Sequence, residues 1–205
     1  MSHLLTVSVS PRQERSWSRT LLVEFVDAYR LAHPGVEVVN RETYEIPHIS
    51  WEAILAGRTP ITDQTPEQRE IFQLQECLTE EVIEAEHLVI ATPMYNWGLP
   101  SALKAWVDHL VNVRTYYYGA VGSFVHVPIT VIITSGALFS EGPQVASDNL
   151  RPHLRTIFHR LGAQEPYFIN ADPTGPLERG EIARDDPAGA FQRAIAEIHA
   201  RVSAS

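Results

Sequence analysis

The sequence predicts an α/β fold: a three-layer, doubly wound sheet of five parallel strands. Apolar segments without polar alternation, typical of strands covered on both faces, recur at residues 4–9, 87–91 and 128–134. Segments with helical spacing separate the strands, as parallel strands require. Because 205 residues with 44% hydrophobic content suffice for one well-buried domain, we expect a single domain over residues 1–205.

The first half of the chain alternates strand and helix. Strands are predicted at residues 4–9 and 36–39, and the helix between them begins beside Ser16 and Ser18 and ends at the His33-Pro34-Gly35 sequence. The residues expected on its buried face are Leu22, Phe25, Val26 and Tyr29.

Residues 41–63 are predicted to be mostly irregular, with a short helix near 51–55. The next helix opens with a capping box of Thr65 and Gln68, with proline at its first position. Cys77 lies on this helix and is expected to be a buried, inert thiol. The expected buried stripe of the helix is Ile71, Leu74, Leu78 and Val82.

The stretch from Ala91 to Leu110 organises the chain. It contains the end of the third strand, a loop and a helix that opens at Pro100 or Ser101. The loop carries wide apolar side chains and one amide, which can line a flat ring better than the small polar residues of an ordinary turn. Its residues are Pro93, Met94, Tyr95, Asn96, Trp97 and Gly98, and the helical stripe that follows is Leu103, Trp106, Val107 and Leu110.

The second half completes the sheet. Residues 112–127 are predicted to form an aromatic excursion or a loose hairpin, followed by strands at 128–134 and 167–169. A helix between these strands is capped by Gly162, and a final helix is expected to open at Asp186-Pro187. The two helical stripes are Leu150, Leu154, Ile157, Phe158 and Leu161, then Phe191, Ile195, Ile198 and Val202.

The strand order predicts where a ligand binds. In the common order 2-1-3-4-5, strands 1, 3 and 4 are neighbours, so the loops after them converge on one crevice at the carboxyl edge. The first loop suits a phosphate, because it offers hydroxyls, an arginine and free amides at a helix start. Serines at a helix start are about as often simple caps. The residues of the first and last loops are Ser10, Arg12, Ser16, Trp17 and Ser18, then Ser135, Gly136, Ala137 and Leu138.

Composition and motifs exclude several classes. A net charge of −9 without a basic stripe argues against nucleic acid binding. The dinucleotide, P-loop and serine-hydrolase signatures are absent, and one cysteine with nine unpatterned histidines predicts no metal site. Because the amino terminus lacks signal-peptide character and no long apolar run occurs, we expect no membrane association and a cytoplasmic location.

The serine loop together with P-M-Y-N-W-G-L-P-S-x-L-K-x-W resembles the FMN-dependent azoreductase and NAD(P)H:quinone oxidoreductase family of flavodoxin-like proteins, over most of the chain. The resemblance implies FMN, with its phosphate held by Ser10 and residues 16–18. It also implies that residues 94–97 pack the isoalloxazine, whose polar edge lies near residues 135–138. Two departures are Trp97, where the family often has Phe, and Ala137-Leu138, where a second glycine is frequent.

The implied activity is two-electron, ping-pong reduction of a quinone or azo compound, with NADH or NADPH as electron donor and the flavin carrying the chemistry. No side chain is then needed as a nucleophile, and Asn96 is a candidate to tune the ring by a hydrogen bond. Two alternatives stay open: an NAD(P)H:FMN reductase that uses flavin as a substrate, and a flavin-binding electron-transfer module without turnover.

Aromatic residues outside the core predict an assembly. Trp97, Phe124 and the tyrosines at 116–118 are more large aromatics than loops normally leave in water. We therefore expect a homodimer, as the resemblance also implies, with Trp97, Tyr116 and Tyr118 at the acceptor site. Ordinary packing of the three tyrosines in a hairpin is about equally compatible with the sequence.

Overall fold

The computed structural model describes residues 3–120 and 122–204. Four residues lie outside the described ones: Met1, Ser2, Val121 and Ser205. The predictions for the amino terminus, for residues 112–127 and for the single domain include these positions, so the structure bears on them only at the other residues.

Five parallel strands form one sheet in the order β2-β1-β3-β4-β5, which confirms the predicted fold class. Their bounds are β1 His3–Ser8, β2 Glu37–Glu42, β3 Ala85–Pro93, β4 Ile129–Thr134 and β5 Tyr167–Ala171. One row across the sheet pairs Arg41, Val7, Ile90, Val131 and Phe168, in that order.

The connections between the strands are helical. The α-helices are α1 Trp17–Ala32, α2 Trp51–Arg58, α3 Pro66–Ile83, α4 Ser101–Leu110, α5 Leu150–Arg160, α6 Gly175–Glu178 and α7 Ala190–Ser203. The predicted capping box of Thr65 and Gln68 is present at α3, and Ser16 caps α1 as expected.

Successive side chains of each strand point to opposite faces, and this alternation divides the core in two. Leu5, Ile90 and Val131 pack on the side of α3, α4 and α5. Val89 and Ile132 pack on the side of α1 and α7. Trp106 of α4 is fully buried, as the sequence predicts for a core residue.

The buried face of α3 differs from the expected stripe. Leu78 and Val82 are buried and Leu74 is partly buried, as expected, but Ile71 is exposed. The other residues that face the core are Phe72, Gln75 and Thr79. Gln75 and Thr79 are polar, so an apolar pattern does not find them, and each makes a buried hydrogen bond, whereas Gln75 Oε1 has no partner among the described residues. Gln75 Nε2 donates to Ala53 O (2.7 Å), and Asn112 Nδ2 donates to Thr79 Oγ1 (2.9 Å).

The interpretation of Cys77 as a buried thiol is wrong. The side chain lies on α3 as predicted but is exposed, and Cys77 Sγ contacts Glu81 Oε1 at 3.7 Å. Partial burial and the Glu81 charge raise the pKa of the thiol, so the thiolate is disfavoured.

Two further expectations fail. The last helix begins at Ala190 because Asp186 forms a turn of its own, in which its carboxylate accepts from Ala188 N (2.9 Å). Residues 112–127, where described, form turns and a 3₁₀ helix at Tyr117–Gly119, so of the two predicted alternatives the excursion fits and the hairpin does not. Phe124, expected on the surface, is fully buried in the core on the α3 side.

Candidate functional site

The first loop places its serines at the start of α1. Ser16 is the N-cap, and its Oγ accepts a hydrogen bond from Arg19 N at 3.3 Å. Ser18 Oγ lies 3.0 Å from Ser16 Oγ, and both residues are buried, as is Ser10. The free amides and positive dipole end of a 16-residue helix therefore meet a group of hydroxyls, a combination that binds phosphate.

The second loop is a tight two-residue turn at the end of β3. Gly98 N donates to Tyr95 O (3.0 Å) and Tyr95 N to Gly98 O (3.3 Å), so the two residues form a short antiparallel bridge. Asn96 and Trp97, at its tip, have φ of 47° and 62°. Positive φ at both central positions defines the type I′ turn, which usually contains glycine or asparagine. The indole of Trp97 is thus displayed on the surface, 59% exposed.

The third loop is joined to the start of α6. Thr174 N donates to Ser135 O (2.8 Å), and Gly175 N donates to Gly136 O (3.0 Å). A Cβ on Gly175 would lie 2.6 Å from Gly136 O, so the close approach of the two backbones requires glycine there. The carbonyl of Ala137, the next residue, accepts from Ser135 Oγ at 2.7 Å.

A buried carboxylate fixes the rest of this loop. Asp172 Oδ2 accepts from Phe139 N and from Ser140 N, each at 2.8 Å, and Asp172 Oδ1 accepts from Ser140 Oγ at 2.7 Å. Arg151 Nη2 lies 3.9 Å from Asp172 Oδ2, and Arg151 Nη1 lies 2.6 Å from Asp148 Oδ2. These charge-assisted contacts fix the backbone at Phe139 and Ser140.

The three loops enclose one cavity of about 230 Å³ at the carboxyl edge of the sheet. Nine predicted site residues line it: Ser10, Arg12, Ser16, Trp17, Pro93, Met94, Tyr95, Ser135 and Gly136. Three residues that the sequence interpretation missed complete the lining: Thr134, Thr174 and Glu178. The strand pattern could have indicated two of them, because Thr134 is the last residue of β4 and Thr174 lies just after β5. No sequence pattern indicates Glu178.

The remaining predicted residues lie outside this lining. Ser18 is behind Ser16, and Asn96 and Trp97 lie in the turn past Tyr95. Ala137 and Leu138 continue from Gly136 away from the cavity, and Ala137 is exposed.

The tyrosine run does not line the cavity either. Tyr117 packs on its own chain, with its hydroxyl accepting from Arg58 Nε at 3.0 Å and the guanidinium 5.4 Å from the ring centroid. Tyr116 packs edge-on against Tyr117, with ring centroids 5.4 Å apart, whereas Tyr118 is 75% exposed.

The cavity contains both a cation and an anion. Arg12 Nη1 lies 2.6 Å from Glu178 Oε1, and Glu178 is the last residue of α6. The hydrogen bond from Arg12 and the negative charge of Glu178 raise the pKa of the guanidinium. Arg12 therefore faces the cavity with its charge already balanced by a neighbour.

Within residues 3–120 and 122–204, no group of three or more metal-ligating side chains occurs. No helix in the described part of the chain combines the length and the apolar character needed to cross a membrane.

A doubly wound parallel sheet with a phosphate-type loop after β1 and an aromatic loop after β3 defines a class of nucleotide-binding α/β proteins. Residues 2–198 match the family described as having the flavodoxin-like fold, and the chain belongs to that family.

Relatives and solved structures resemble this chain over most of its length. An FMN-dependent NADH:quinone oxidoreductase of Nostoc punctiforme is 36% identical over 204 residues, covering 96% of this chain and 100% of the relative. A protein of the same name from Herminiimonas arsenicoxydans is 34% identical, covering 84% of this chain and 87% of the relative. An FMN-dependent NADH-azoreductase from Bacillus anthracis, solved in complex with FMN, has the same fold, with a TM-score of 0.79 at 21% identity over 100% of this chain and 99% of that chain.

Proposed function

We propose that this protein is an FMN-dependent NAD(P)H oxidoreductase that reduces quinones and azo compounds by two electrons. The observation that carries the proposal is the convergence of the loops after β1, β3 and β4 on one cavity. The relatives named FMN-dependent NADH:quinone oxidoreductase support it, since they match 96% and 84% of the chain. Bound FMN would supply the redox chemistry, a two-electron transfer between nicotinamide and acceptor, and the residues of the cavity would bind and orient it.

The phosphate of FMN fits the start of α1. The hydroxyls of Ser10 and Ser16 line the cavity beside Arg12, and Ser18 supports Ser16 from behind. A dianion at this place accepts hydrogen bonds from hydroxyls and from free helix amides, and the helix dipole favours its charge. These residues therefore bind and orient the cofactor without taking part in the chemistry.

The ring of FMN fits the other end of the cavity. Met94 and Tyr95 present apolar surface beside Pro93, and Ser135 and Gly136 stand opposite. No atom outside the neighbouring residues lies within 4 Å of a Cβ built on Gly136, so the backbone leaves open space there for a planar ligand. Asn96, next to Tyr95, remains our candidate for a hydrogen bond to the ring, and Ala137 and Leu138 for contacts at its polar edge.

The acceptor site lies outside the cavity described above. We assign to it Trp97, Tyr116 and Tyr118, whose rings are exposed and can stack on a quinone or azo compound. A volume of about 230 Å³ is small for a complete ligand pocket, which commonly measures about 300–1,000 Å³. A second copy of the chain would supply the missing wall, so we propose a homodimer. We also propose that residues 1–205 form one domain and that the protein is cytoplasmic.

A visible spectrum followed by anaerobic reduction tests the function. We expect the purified protein to show a flavin spectrum that survives gel filtration, to bleach with NADH and to recover its colour with a quinone. Flavin that leaves on the column and is turned over in solution would favour the FMN reductase. Bound flavin that NADH does not bleach would favour the electron-transfer module, and protein that acquires no flavin spectrum when incubated with FMN would overturn the proposal.

A further inference from the structure

A second cavity adjoins the one assigned to FMN. It measures about 470 Å³, larger than the first, and three residues, Arg12, Trp17 and Glu178, line both. The other residues around the second cavity are Glu14, Arg15, Thr20, Leu177 and Arg184. Because the shared residues stand beside the start of α1, the second cavity continues from the end of the first that suits a phosphate.

The chemistry of this second cavity suits the remainder of a larger nucleotide. It is lined by Arg15 and Arg184, whose cationic side chains can bind a second phosphate, and by Trp17, whose indole can stack on a purine. Arg184 also contacts Phe191 and lies 3.9 Å from Glu24. FAD differs from FMN by an adenylate joined to the same phosphate. Bound with its flavin end like FMN, FAD would therefore have to pass its adenylate through the boundary between the two cavities.

An ion pair spans that boundary. Arg12 Nη1 and Glu178 Oε1 are 2.6 Å apart, their side chains are 50% and 41% exposed, and both residues line both cavities. A pyrophosphate at this place would displace the guanidinium from its partner and would lie beside the carboxylate of Glu178. The single phosphate of a mononucleotide lies beside the pair but does not pass between its two members, so FMN leaves the ion pair intact.

We propose that the Arg12–Glu178 ion pair closes the phosphate end of the cofactor cavity and selects FMN against FAD. This inference rests on the proposed function, because it assumes that FMN occupies the first cavity. It assigns a specificity role to Glu178, the carboxylate that would otherwise only repel the phosphate of the cofactor.

Binding constants of FMN and FAD to the flavin-free full-length protein, measured by quenching of flavin fluorescence, test the proposal. We expect the wild type to bind FMN at least about tenfold more tightly than FAD, and E178A to reduce that preference at least about fivefold by strengthening FAD binding. The matched control is E181A, which removes a carboxylate of the exposed Arg179–Glu181 pair three residues further along. We expect E181A to leave the preference within about twofold of the wild type.

The outcomes separate this proposal from the proposed function. A wild type that binds no FMN overturns the proposed function itself. A wild type that binds FMN without preference over FAD, or an E178A protein whose preference changes less than fivefold, overturns the role of the ion pair alone. If far-UV circular dichroism shows that E178A does not fold, E178Q replaces it, because E178Q removes the charge and retains the side-chain volume. The same fivefold change in preference is then required of E178Q.

Discussion

Trp97 occupies a backbone conformation that is unfavourable for an aromatic residue. Its φ of 62° costs about 1–2 kcal/mol in a residue with a Cβ, and the exposed indole gains little from burial in return. Backbone strain of this kind is often found where the side chain has a function, and we propose that Trp97 binds the acceptor.

We predict that Trp97→Gly makes the flavin-free protein more stable by about 0.5–1 kcal/mol, because relief of the strain exceeds the extra entropy of glycine in the unfolded chain. The same substitution should raise the KM for a quinone about three- to tenfold, because the stacking surface is lost. Urea unfolding and steady-state kinetics measure the two effects. Gln13→Gly is the control, since Gln13 also has positive φ (48°) but no ring, and it should raise stability without changing KM. An unchanged KM in Trp97→Gly would remove the indole from the acceptor site.

His87 of β3 predicts a pH dependence of stability. The ring is buried against Phe25 and Tyr29, its Nε2 lies 2.9 Å from Thr130 Oγ1, and its Nδ1 has no hydrogen-bond partner among the described residues. Burial, with smaller contributions from the charges of Arg201 and His33, lowers its pKa from 6.5 to about 4. The unfolded chain therefore binds the proton more tightly than the folded one.

We predict that this group contributes stability in full above pH 6.5 and that the contribution falls by about 3 kcal/mol as the pH is lowered to 4. Chemical denaturation at successive pH values measures the effect. His87→Gln removes the titrating group. The wild type's advantage in free energy of unfolding over this variant should therefore decrease by about 3 kcal/mol between pH 6.5 and 4, whatever its value at pH 7. The same substitution at exposed His153 serves as the control, and its plot of unfolding free energy against pH should run parallel to that of the wild type. Parallel curves for His87→Gln would show that His87 does not titrate in this way.

At the scale of the element, the start of α1 has both a structural and a binding role. Ser16 caps the helix, so a loss of affinity on its replacement has two explanations that must be separated. We predict that the double substitution of Ser16 and Ser18 by Ala weakens FMN more than riboflavin by at least about tenfold, because only FMN has the phosphate that the hydroxyls bind.

The matched control for this prediction is Ser50→Ala, since Ser50 caps α2 by accepting from Ala53 N at 3.1 Å. Both variants should lose about 1 kcal/mol of stability or more through the missing cap, but Ser50→Ala should bind both flavins as the wild type does. Isothermal titration with the two flavins measures the preference. If the double variant weakens FMN and riboflavin equally, the serines are caps and nothing more.

Most elements could be predicted because their signals are local. Each of these signals determines the structure of only the few residues around it. Examples are the capping residue Thr65, the apolar spacing of α1 and the apolar strands. The start of α7 was missed because Asp186 can cap either a helix or a turn. Helix α6 has four residues, too few for a periodic pattern, and its position depends on hydrogen bonds to the loop after β4.

The candidate site was predictable to the extent that topology brings strand ends together. Residues at the ends of β1, β3 and β4 reach the cavity for that reason. The contact between Arg12 and Glu178 joins residues 166 positions apart, and no sequence pattern indicates it. Whether Trp97 lines the cavity or projects past it depends on the turn, and a type I′ turn is difficult to foresee with Trp at its second central position.

At the scale of the whole molecule, the open cavity and the exposed rings predict an assembly. Phe124 no longer contributes to this argument because it belongs to the core. Trp97, Tyr116 and Tyr118 remain outside it, and the cavity is too small to enclose a cofactor and an acceptor together. Packing two copies about a two-fold axis would bury these rings and complete the wall, and two-fold dimers are the commonest closed assembly.

We predict that light scattering gives twice the 23.0 kDa mass of one chain and that specific activity falls on dilution as the dimer dissociates. Tyr118→Glu should shift this loss to higher concentration by at least about tenfold, because a carboxylate buried in an apolar contact is costly. Leu31→Glu is the control: Leu31 is also exposed, but it lies at the end of α1 opposite the cavity, so its replacement should leave the dilution curve unchanged. A monomer whose turnover per chain is constant over the whole dilution series cannot have a site built from two chains. That result would mean that the acceptor binds on the surface of a single copy.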